Sequence, residues 1–236
     1  LERPAEPADA GEFDLVVVGG GAAGCCAAVS AARLGCQVAL IHDRPVLGGN
    51  NSSEVRVGLS GLIHQQPYPR LGDLVDEWGP VGHWNLYQAK QAPDLPRSRQ
   101  VLAIIERNPE KKIHNAGPTA NYEDEKKLAV VQAEKNLALF LSTHANGVEM
   151  AGQRIAAVLA ENIQSGRRLK FRARLVADCT GDGTIGALAG ADFAYGRESQ
   201  GETQEDAAPE QADELVMGTS VQGYAEEGPD VSPFPE

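Results

Sequence analysis

Residues 13–24 read FDLVVVGGGAAG, and this stretch decides the fold. It opens with a short apolar run rich in β-branched side chains, typical of a strand that is buried on both faces of a parallel sheet. Glycines then follow with the Gly-x-Gly-x-x-Gly spacing, and residues 22–34 continue as a small-residue helix that ends at Gly35. A second apolar run at 37–42 completes the pattern. This order of strand, glycine turn, helix and strand predicts a dinucleotide-binding fold.

Each glycine of the motif has a physical task. Gly19 permits the tight turn from strand to helix, Gly21 lets the backbone approach a pyrophosphate, and Gly24 lets the helix pack against the strand. Ala22 and Ala23 begin the helix, where unpaired N–H groups and the helix dipole favour an anion. The motif therefore predicts that the pyrophosphate of a dinucleotide lies on these five residues.

The end of the second strand normally carries an acid that binds the ribose hydroxyls, about twenty residues after the glycine motif. His42 stands at this position, and Asp43 and Arg44 follow it directly. Two interpretations stay open: Asp43 takes the role of the acid, or His42 and Arg44 help to hold the ribose. We favour Asp43 with Arg44. The sequence does not show the exchange of acid for arginine alone that would signal a bound 2′-phosphate.

A further glycine pair follows in residues 45–54, which read PVLGGNNSSE, and it gives a backbone with no side chain to obstruct a ligand. At this point the chain resembles FAD-dependent oxidoreductases of the glutathione-reductase structural family. Residues 42–57 look like those of a bacterial subgroup of these enzymes. The resemblance implies that one set of residues lies along the pyrophosphate and ribityl chain of FAD and another close to the flavin: Gly48, Gly49 and Asn50, then Asn51, Ser52 and Ser53.

A later patch supports the same resemblance. Residues 174–191 read RLVADCTGDGTIGALAGA and are similar to the family's second FAD-contacting turn, which implies contacts from Thr180, Gly181 and Asp182. Residues 181–186 also satisfy the Gly-x-Gly-x-x-Gly spacing, so a separate NAD(P)H site is an alternative. We favour the FAD turn, because the helix after it is short and no second strand with a terminal acid follows.

The remaining segments fit an α/β fold with a Rossmann-like FAD-binding domain of three-layer ββα character. Asn121 and the acids after it predict a helix that ends near Asn136. Residues 137–143 read as a buried strand, and the resemblance puts Ala145 beside the adenine. Strand-like runs at 148–150, 154–162 and 169–177 predict a β-meander beside the nucleotide sheet. The predicted domains are an N-terminal extension (1–11), the FAD-binding domain (12–53 and 121–196), a partial helical insertion on the substrate side (54–120) and an acidic, Gly/Pro-rich tail (197–236).

Polar residues of the insertion are the candidates for contact with a substrate, because the flavin itself carries hydride or electron transfer. Arg56 and His64 are the candidate catalytic residues, since they follow most closely the loop of residues 51–53 that is expected beside the flavin, here called the flavin-side loop. A cation near the flavin would stabilise its reduced anionic form, and a histidine can act as a general acid or base near neutral pH. Other polar candidates, for which a surface or packing role is the better interpretation, are Tyr68, Arg70, His83, Trp84, Tyr87, Arg97 and Arg99.

Charge and composition limit the partners. The chain has 236 residues and a net charge of −12, but eleven acids and one base lie in 197–236, so the rest is nearly neutral. The acidic tail is predicted to be solvated or poorly ordered. This balance argues against nucleic acid as a partner. The uncharged stretch 15–32 contains four glycines, so it reads as a buried strand and turn and not as a membrane span.

The four cysteines bear on metals and on the compartment. They form no Cys-x-x-Cys pair and no zinc-type spacing, which argues against a metal site and slightly favours a reducing, cytoplasmic compartment. Because the chain starts at Leu1, export after removal of a signal peptide is also compatible with the sequence. Cys25 and Cys26 are predicted to pack as small apolar residues in the first helix.

These observations predict a FAD-dependent oxidoreductase that acts on a small organic molecule. The resemblance covers about residues 12–196, and its members usually continue further, so we expect a C-terminally short chain. Two alternatives stay open. The chain is a non-catalytic FAD- or NAD-binding fragment or subunit completed by another chain or a second copy, or it is a thiazole-synthase-like biosynthetic protein that uses bound NAD as a substrate.

Overall fold

The computed structural model describes residues 6–59, 66–68, 70, 72–78, 90–91, 93–94, 98–99, 102–103, 106 and 119–218. It forms two units, Leu1–Asp192 and Phe193–Glu236. The described part of the first unit contains six strands: β1 (Ala8–Val18), β2 (Val38–Ile41), β3 (Leu137–Phe140), β4 (Thr143–Ala151), β5 (Arg154–Asn162) and β6 (Arg168–Asp178). They form one sheet in the order β3-β2-β1-β6-β5-β4.

Four of the strands run parallel and carry the nucleotide-binding half of the sheet. Helix α1 (Ala22–Arg33) connects β1 to β2, and these strands pair in parallel from Leu15 opposite Val38 to Val18 opposite Ile41. β3 and β6 extend the parallel part on either side. Since parallel strands end at one edge of the sheet, the turns that follow β1, β2 and β6 lie together. The predicted strand-helix-strand unit is confirmed.

The core has two parts, one on each face of the parallel strands. On one face α1 buries Cys25 and Val29 against Val17, so Cys25 packs as the sequence predicts. On the other face Val16 packs with Val158 of β5. Because side chains alternate along a strand, successive β1 valines serve the two clusters. Helix α1 therefore packs on one face of the parallel strands, and residues of the antiparallel strands contribute to the core on the other face.

β1 and the meander differ from the sequence prediction in extent. β1 begins at Ala8 and not at residue 13, because Ala8 to Phe13 pair with Leu169 to Ala173 of β6. The predicted N-terminal extension thus contains the start of β1. β6 is hydrogen-bonded to both β1 and β5, so the predicted β-meander continues the parallel strands in one six-stranded sheet.

The predicted strand at 137–143 is divided in two. β3 ends at Phe140, and Ser142 has a positive φ of 50°, which breaks the extended backbone before β4 begins at Thr143. The Thr143 N–H donates to the His42 carbonyl at 2.8 Å. The chain therefore turns at Leu141 and Ser142 and passes beside the end of β2.

The helices after β2 are short. Helix α2 (Asp73–Trp78) lies in the predicted insertion, most of which falls outside the described residues. Helix α3 (Asp124–Gln132) begins after a 3-10 turn at Thr119–Tyr122, and its N-cap is Glu123 at a φ of 45°. The helix starts later and ends earlier than predicted, with Asn121 inside the 3-10 turn. Among the helices of the described segments, none is long and apolar enough to cross a membrane.

The described part of the second unit, residues 193–218, contains local structure. Arg197 and Asp213 exchange backbone hydrogen bonds of 2.9 and 3.1 Å, and their side chains form an ion pair. Helix α5 (Gln200–Thr203) follows helix α4 (Thr184–Leu188) of the first unit and begins with a capping box made by Ser199 and Glu202. The first half of the acidic tail is therefore ordered by its own turns, where the sequence predicted a solvated or poorly ordered segment.

Candidate functional site

Three backbone segments meet at the carboxyl end of β1. The Gly19 N–H donates to the Ile41 carbonyl of β2 at 2.8 Å, and the Cys179 N–H donates to the Val18 carbonyl at 2.7 Å. The Gly48 N–H donates to the Gly20 carbonyl at 2.9 Å. The glycine turn, the glycine pair and the turn after β6, which the sequence predicted to share one site, are thus in direct contact.

The three glycines of the first motif have different surroundings. A Cβ on Gly24 would lie 1.8 Å from the Gly19 carbonyl oxygen, and one on Gly19, whose φ is 104°, would lie 2.1 Å from the Cys179 carbonyl oxygen. A Cβ on Gly21 would meet nothing within 4 Å. Gly21 is also the N-cap of α1, and no side chain caps this helix. The helix N-terminus therefore opens onto free space with the room and the N–H donors that a pyrophosphate requires.

The glycine pair lies directly against this opening. Gly48 and Gly49 both have positive φ, 118° and 56°, and Gly48 forms an isolated parallel bridge with Gly21. A Cβ on Gly49 would come within 3.1 Å of the Gly21 Cα. Side chains at either position are thus excluded by conformation or by space, which leaves only backbone beside the open helix end.

The residues after the glycine pair are mostly turned inward. Asn50 is exposed, whereas Asn51 and Ser52 are buried. Asn51 Nδ2 donates to the Val57 carbonyl at 2.9 Å, and Ser52 Oγ accepts the Val55 N–H at 3.4 Å. Asn51 Oδ1 is buried and has no hydrogen-bond partner among the described residues. The Asn51 and Ser52 side chains therefore shape the loop, with Asn51 Oδ1 as an acceptor still to be satisfied.

The three candidates for the ribose have different exposure. His42 is 5% exposed; its Nδ1 accepts the Gly20 N–H at 2.9 Å and its Nε2 bonds the Val46 carbonyl at 3.0 Å. Burial is the main reason that the pKa of His42 is lowered. The Asp43 side chain is exposed, as is Arg44, whose Nη1 lies 3.5 Å from a Glu54 carboxylate oxygen. Since both His42 nitrogens have partners inside the protein, Asp43 and Arg44 are the side chains that stay available for the predicted ribose contact.

The turn after β6 is organised by Asp178, which sequence reasoning missed. Its Oδ1 accepts the Thr180 hydroxyl at 2.7 Å, and its Oδ2 accepts the N–H groups of Ile185 and Gly186 at 2.8 and 2.9 Å. Burial raises the pKa of Asp178, but these hydrogen bonds outweigh it and the pKa is lowered. No capping pattern in the sequence announces this contact, because the N-cap of α4 is Gly183 and Asp178 stands five residues before it.

The same geometry decides the second Gly-x-Gly-x-x-Gly match. The first N–H groups of α4 are bonded to the Asp178 carboxylate, which occupies the place that a phosphate would need and repels an anion. α4 spans only Thr184–Leu188. The alternative of a separate NAD(P)H site at 181–186 therefore has no open helix end to use. Gly181 and Asp182 are exposed beside this turn.

The other predicted site residues differ in burial, and several lie outside the described residues. Ala145 lies in β4, 5% exposed, with its side chain in the core, so only its backbone can approach an adenine. Arg56 is half-buried with a φ of 62°, and its carbonyl accepts the Tyr122 hydroxyl at 2.6 Å. His64 lies outside the described residues, as do His83, Trp84, Tyr87 and Arg97. The remaining polar candidates, all exposed, are Tyr68, Arg70 and Arg99.

A buried lysine also supports the loop of residues 51–57. Lys127 is fully buried; its Nζ contacts the Tyr122 carbonyl and lies 3.6 Å from Asp124 Oδ1. Asp124 accepts the Ser53 N–H at 3.1 Å. Burial lowers the pKa of Lys127 to about 8. The sequence predicted a helix here without assigning a role to Lys127, and only the packing of α3 beside residues 52–57 reveals this contact. The described residues contain no group of His, Cys, Asp and Glu that could hold a metal ion.

Comparison with known proteins assigns the family. Residues 14–231 match the model of the FAD dependent oxidoreductase family. The chain is also similar to a geranylgeranyl bacteriochlorophyll reductase-like protein from Thermoplasma acidophilum (20% identity, 79% of this chain and 44% of that chain, TM-score 0.47). A second similar structure is a myxobacterial chondrochloren halogenase (18% identity, 71% of this chain and 37% of that chain, TM-score 0.44). A third is quinol fumarate reductase from E. coli (17% identity, 72% of this chain and 32% of that chain, TM-score 0.41). The chain spans less than half the length of each. It belongs to the FAD dependent oxidoreductase family, and its cofactor is FAD.

Proposed function

We propose that this chain forms the FAD-binding part of an oxidoreductase that acts on a small organic molecule. One observation carries the proposal: the N-terminus of α1 is uncapped and opens at Gly21 onto free space bordered by the backbone of Gly48 and Gly49. Unpaired helix N–H groups next to an obstacle-free backbone suit a pyrophosphate. The flavin, when bound, supplies hydride or electron transfer.

The proposal assigns each part of FAD to a set of residues. The pyrophosphate lies on Ala22 and Ala23 at the start of α1, and the ribose lies beside Asp43 and Arg44. The ribityl chain follows the glycine pair toward Asn51, whose unpartnered Oδ1 is a candidate acceptor for a ribityl hydroxyl. The complete set of proposed cofactor contacts is Gly19, Gly21, Ala22, Ala23, Gly24, Asp43, Arg44, Gly48, Gly49, Asn50, Asn51, Ser52, the Ala145 backbone, Thr180, Gly181 and Asp182.

Arg56 is the proposed cation that follows the flavin-side loop. Its left-handed backbone is held from both sides, since its N–H donates to the Ser52 carbonyl at 2.8 Å and its carbonyl accepts from Tyr122. A guanidinium fixed on such a loop can stabilise negative charge on a reduced flavin. His64 stays a prediction as general acid or base.

The experiment is identification of the bound cofactor. We expect the purified chain to be yellow or to take up FAD in near-stoichiometric amount, and mass spectrometry of the ligand released on denaturation to find FAD. A chain that takes up no FAD contradicts the proposal. Released NAD or a derivative of it would favour the thiazole-synthase-like alternative. Flavin reduction by candidate substrates would then separate an active enzyme from a binding subunit.

A further inference from the structure

His42 connects two backbone segments of the proposed FAD site. Its side chain is buried at the end of β2, with the Gly20 N–H on one ring nitrogen at 2.9 Å and the Val46 carbonyl on the other at 3.0 Å. We propose that His42 is a positioning residue, whose neutral imidazole holds the glycine turn and the loop of Gly48 at the separation that the FAD pyrophosphate requires. This inference rests on the proposed function.

The partners of the ring determine its tautomer. A backbone N–H can only donate and a carbonyl can only accept, so Nδ1 is the acceptor and Nε2 carries the proton. A carboxylate in this position could accept the Gly20 N–H but could not donate to the Val46 carbonyl. A neutral histidine therefore makes a connection between the two segments that the usual ribose-binding acid cannot make.

The ring also sets the spacing by contact. A Cβ on Gly20 would lie 2.6 Å from His42 Cγ and 2.8 Å from Leu47 Cδ2, so the imidazole lies directly against the glycine backbone. The Gly20 carbonyl meanwhile accepts the Gly48 N–H at 2.9 Å. Gly20 thus donates its N–H to His42, directly after β2, and accepts through its carbonyl from Gly48 of the glycine pair. Movement of His42 would shift both segments that border the opening at Gly21.

Protonation would break this connection. A proton on Nδ1 would face the Gly20 N–H, donor against donor, and the hydrogen bond would be lost. The charged groups that face the ring are Asp43, whose Oδ1 lies 3.5 Å from Nδ1, and Arg44 and Glu54. Burial has the largest effect and lowers the pKa of His42 below its ordinary value of about 6.5. We therefore expect the connection to be intact at neutral pH and to be lost as the pH falls through this lowered pKa.

The test separates the two hydrogen bonds. His42→Asn keeps an acceptor near the position of Nδ1, His42→Gln keeps a donor near the position of Nε2, and His42→Leu keeps neither. His144→Leu is the matched control, because His144 is exposed on β4. FAD affinity is measured by quenching of flavin fluorescence on titration with the FAD-free protein. Exchange of the Gly20 amide hydrogen in the FAD-free protein is followed alongside.

We expect His42→Leu to weaken FAD binding about 5- to 150-fold, since it leaves a buried N–H and a carbonyl unpaired. His42→Asn should restore most of the affinity and the protection of the Gly20 amide, whereas His42→Gln should leave that amide exchanging fast. Wild-type affinity should be level near neutral pH and fall only as the pH drops below about 6.5, because the pKa of His42 is lowered, and that of His42→Asn should stay level. His144→Leu should behave as wild type.

The outcomes distinguish this inference from the proposed function. If wild type binds FAD and His42→Leu binds it equally well, the inference is wrong and the proposed function stands. Equal losses in His42→Asn and His42→Leu, with no pH step in wild type, would show that the ring only fills space and would also overturn it. If wild type takes up no FAD at any pH, both fail together.

Discussion

Replacement of Gly21 by serine should stabilise the FAD-free protein and weaken FAD binding through the same contact. Gly21 is the N-cap of α1, in extended backbone with φ −69° and ψ −178°, and a Cβ at this position would meet no atom within 4 Å. Serine is a better N-cap residue than glycine, because its hydroxyl accepts an N–H of the first helical turn. Those N–H groups, on residues such as Ala23, are the donors proposed for the pyrophosphate. A serine that caps the helix therefore takes the donors from FAD.

The two effects have opposite signs and different sizes. An N-cap serine gains a few tenths of a kcal/mol over glycine, so the melting temperature of the FAD-free protein should rise by about 1 °C or stay level. New atoms in an occupied space cost about 1–3 kcal/mol, which corresponds to FAD binding that is about 5- to 150-fold weaker. Gly24→Ser is the contrasting variant, since its Cβ would lie 1.8 Å from the Gly19 carbonyl oxygen. We expect it to unfold at a temperature several degrees lower, with or without FAD.

Thermal unfolding of the FAD-free proteins and fluorescence titration with FAD measure both quantities. Gly186→Ala serves as the control, because a Cβ there meets its nearest atoms only at 3.9 Å and the second glycine motif has no proposed role in pyrophosphate binding. Wild-type FAD affinity in Gly21→Ser would refute the assignment of the pyrophosphate to this helix end. A loss of stability in Gly21→Ser as large as that in Gly24→Ser would contradict the finding that a side chain at Gly21 enters free space.

Three further changes test other parts of the site. Asp178→Asn should destabilise the protein by about 1 kcal/mol at pH 7, because the carboxylate accepts the first N–H groups of α4. Since the pKa of Asp178 is lowered in the folded state, the difference in urea midpoint between variant and wild type should shrink as the pH falls below about 3.9. A difference that is independent of pH contradicts this role. Lys127 has a pKa lowered to about 8, so between pH 8 and 10 the unfolded chain binds more protons than the folded protein. The free energy of unfolding of wild type should therefore rise over this pH range relative to that of Lys127→Met. Urea midpoints of the two proteins that change in parallel with pH would contradict this expectation. Arg56→Gly keeps a backbone suited to a φ of 62° but removes the cation, so the flavin reduction potential should become more negative by about 20 mV or more, while an unchanged potential places Arg56 away from the flavin.

The local part of the fold could be predicted because its signals lie close together in the chain. A strand, the glycine spacing and a helix follow one another within residues 13–35, and each imposes its conformation through short-range sterics and hydrogen bonding. The glycine pair carries the same kind of signal, since its positive φ angles suit only glycine. The division of 137–151 into two strands was harder to foresee, because Ser142 adopts a positive φ without any glycine to announce it.

The contacts that set the site depend on residues far apart in the chain. His42 reads as the residue that stands where the ribose-binding acid is usual until Gly20, 22 residues earlier, is seen to donate to its ring. Lys127 and Asp124 read only as residues of a predicted helix until the Ser53 N–H, 71 residues from Asp124, is found to donate to the Asp124 carboxylate. Asp178 lies in a motif that resembles a phosphate-binding turn, and its side chain closes the helix end that such a turn would leave open.

The sequence by itself determined the strand, glycine turn and helix after which a pyrophosphate site is predicted, because glycine geometry and helix ends act over a few residues. Only the tertiary structure decided which of two glycine motifs keeps an open helix end and which side chains support it. That choice depends on whether a carboxylate or free space faces the helix N–H groups, and for α4 the Asp178 side chain at the end of β6 sets what faces them. Gly21 remains open and the start of α4 is filled by Asp178 for this reason.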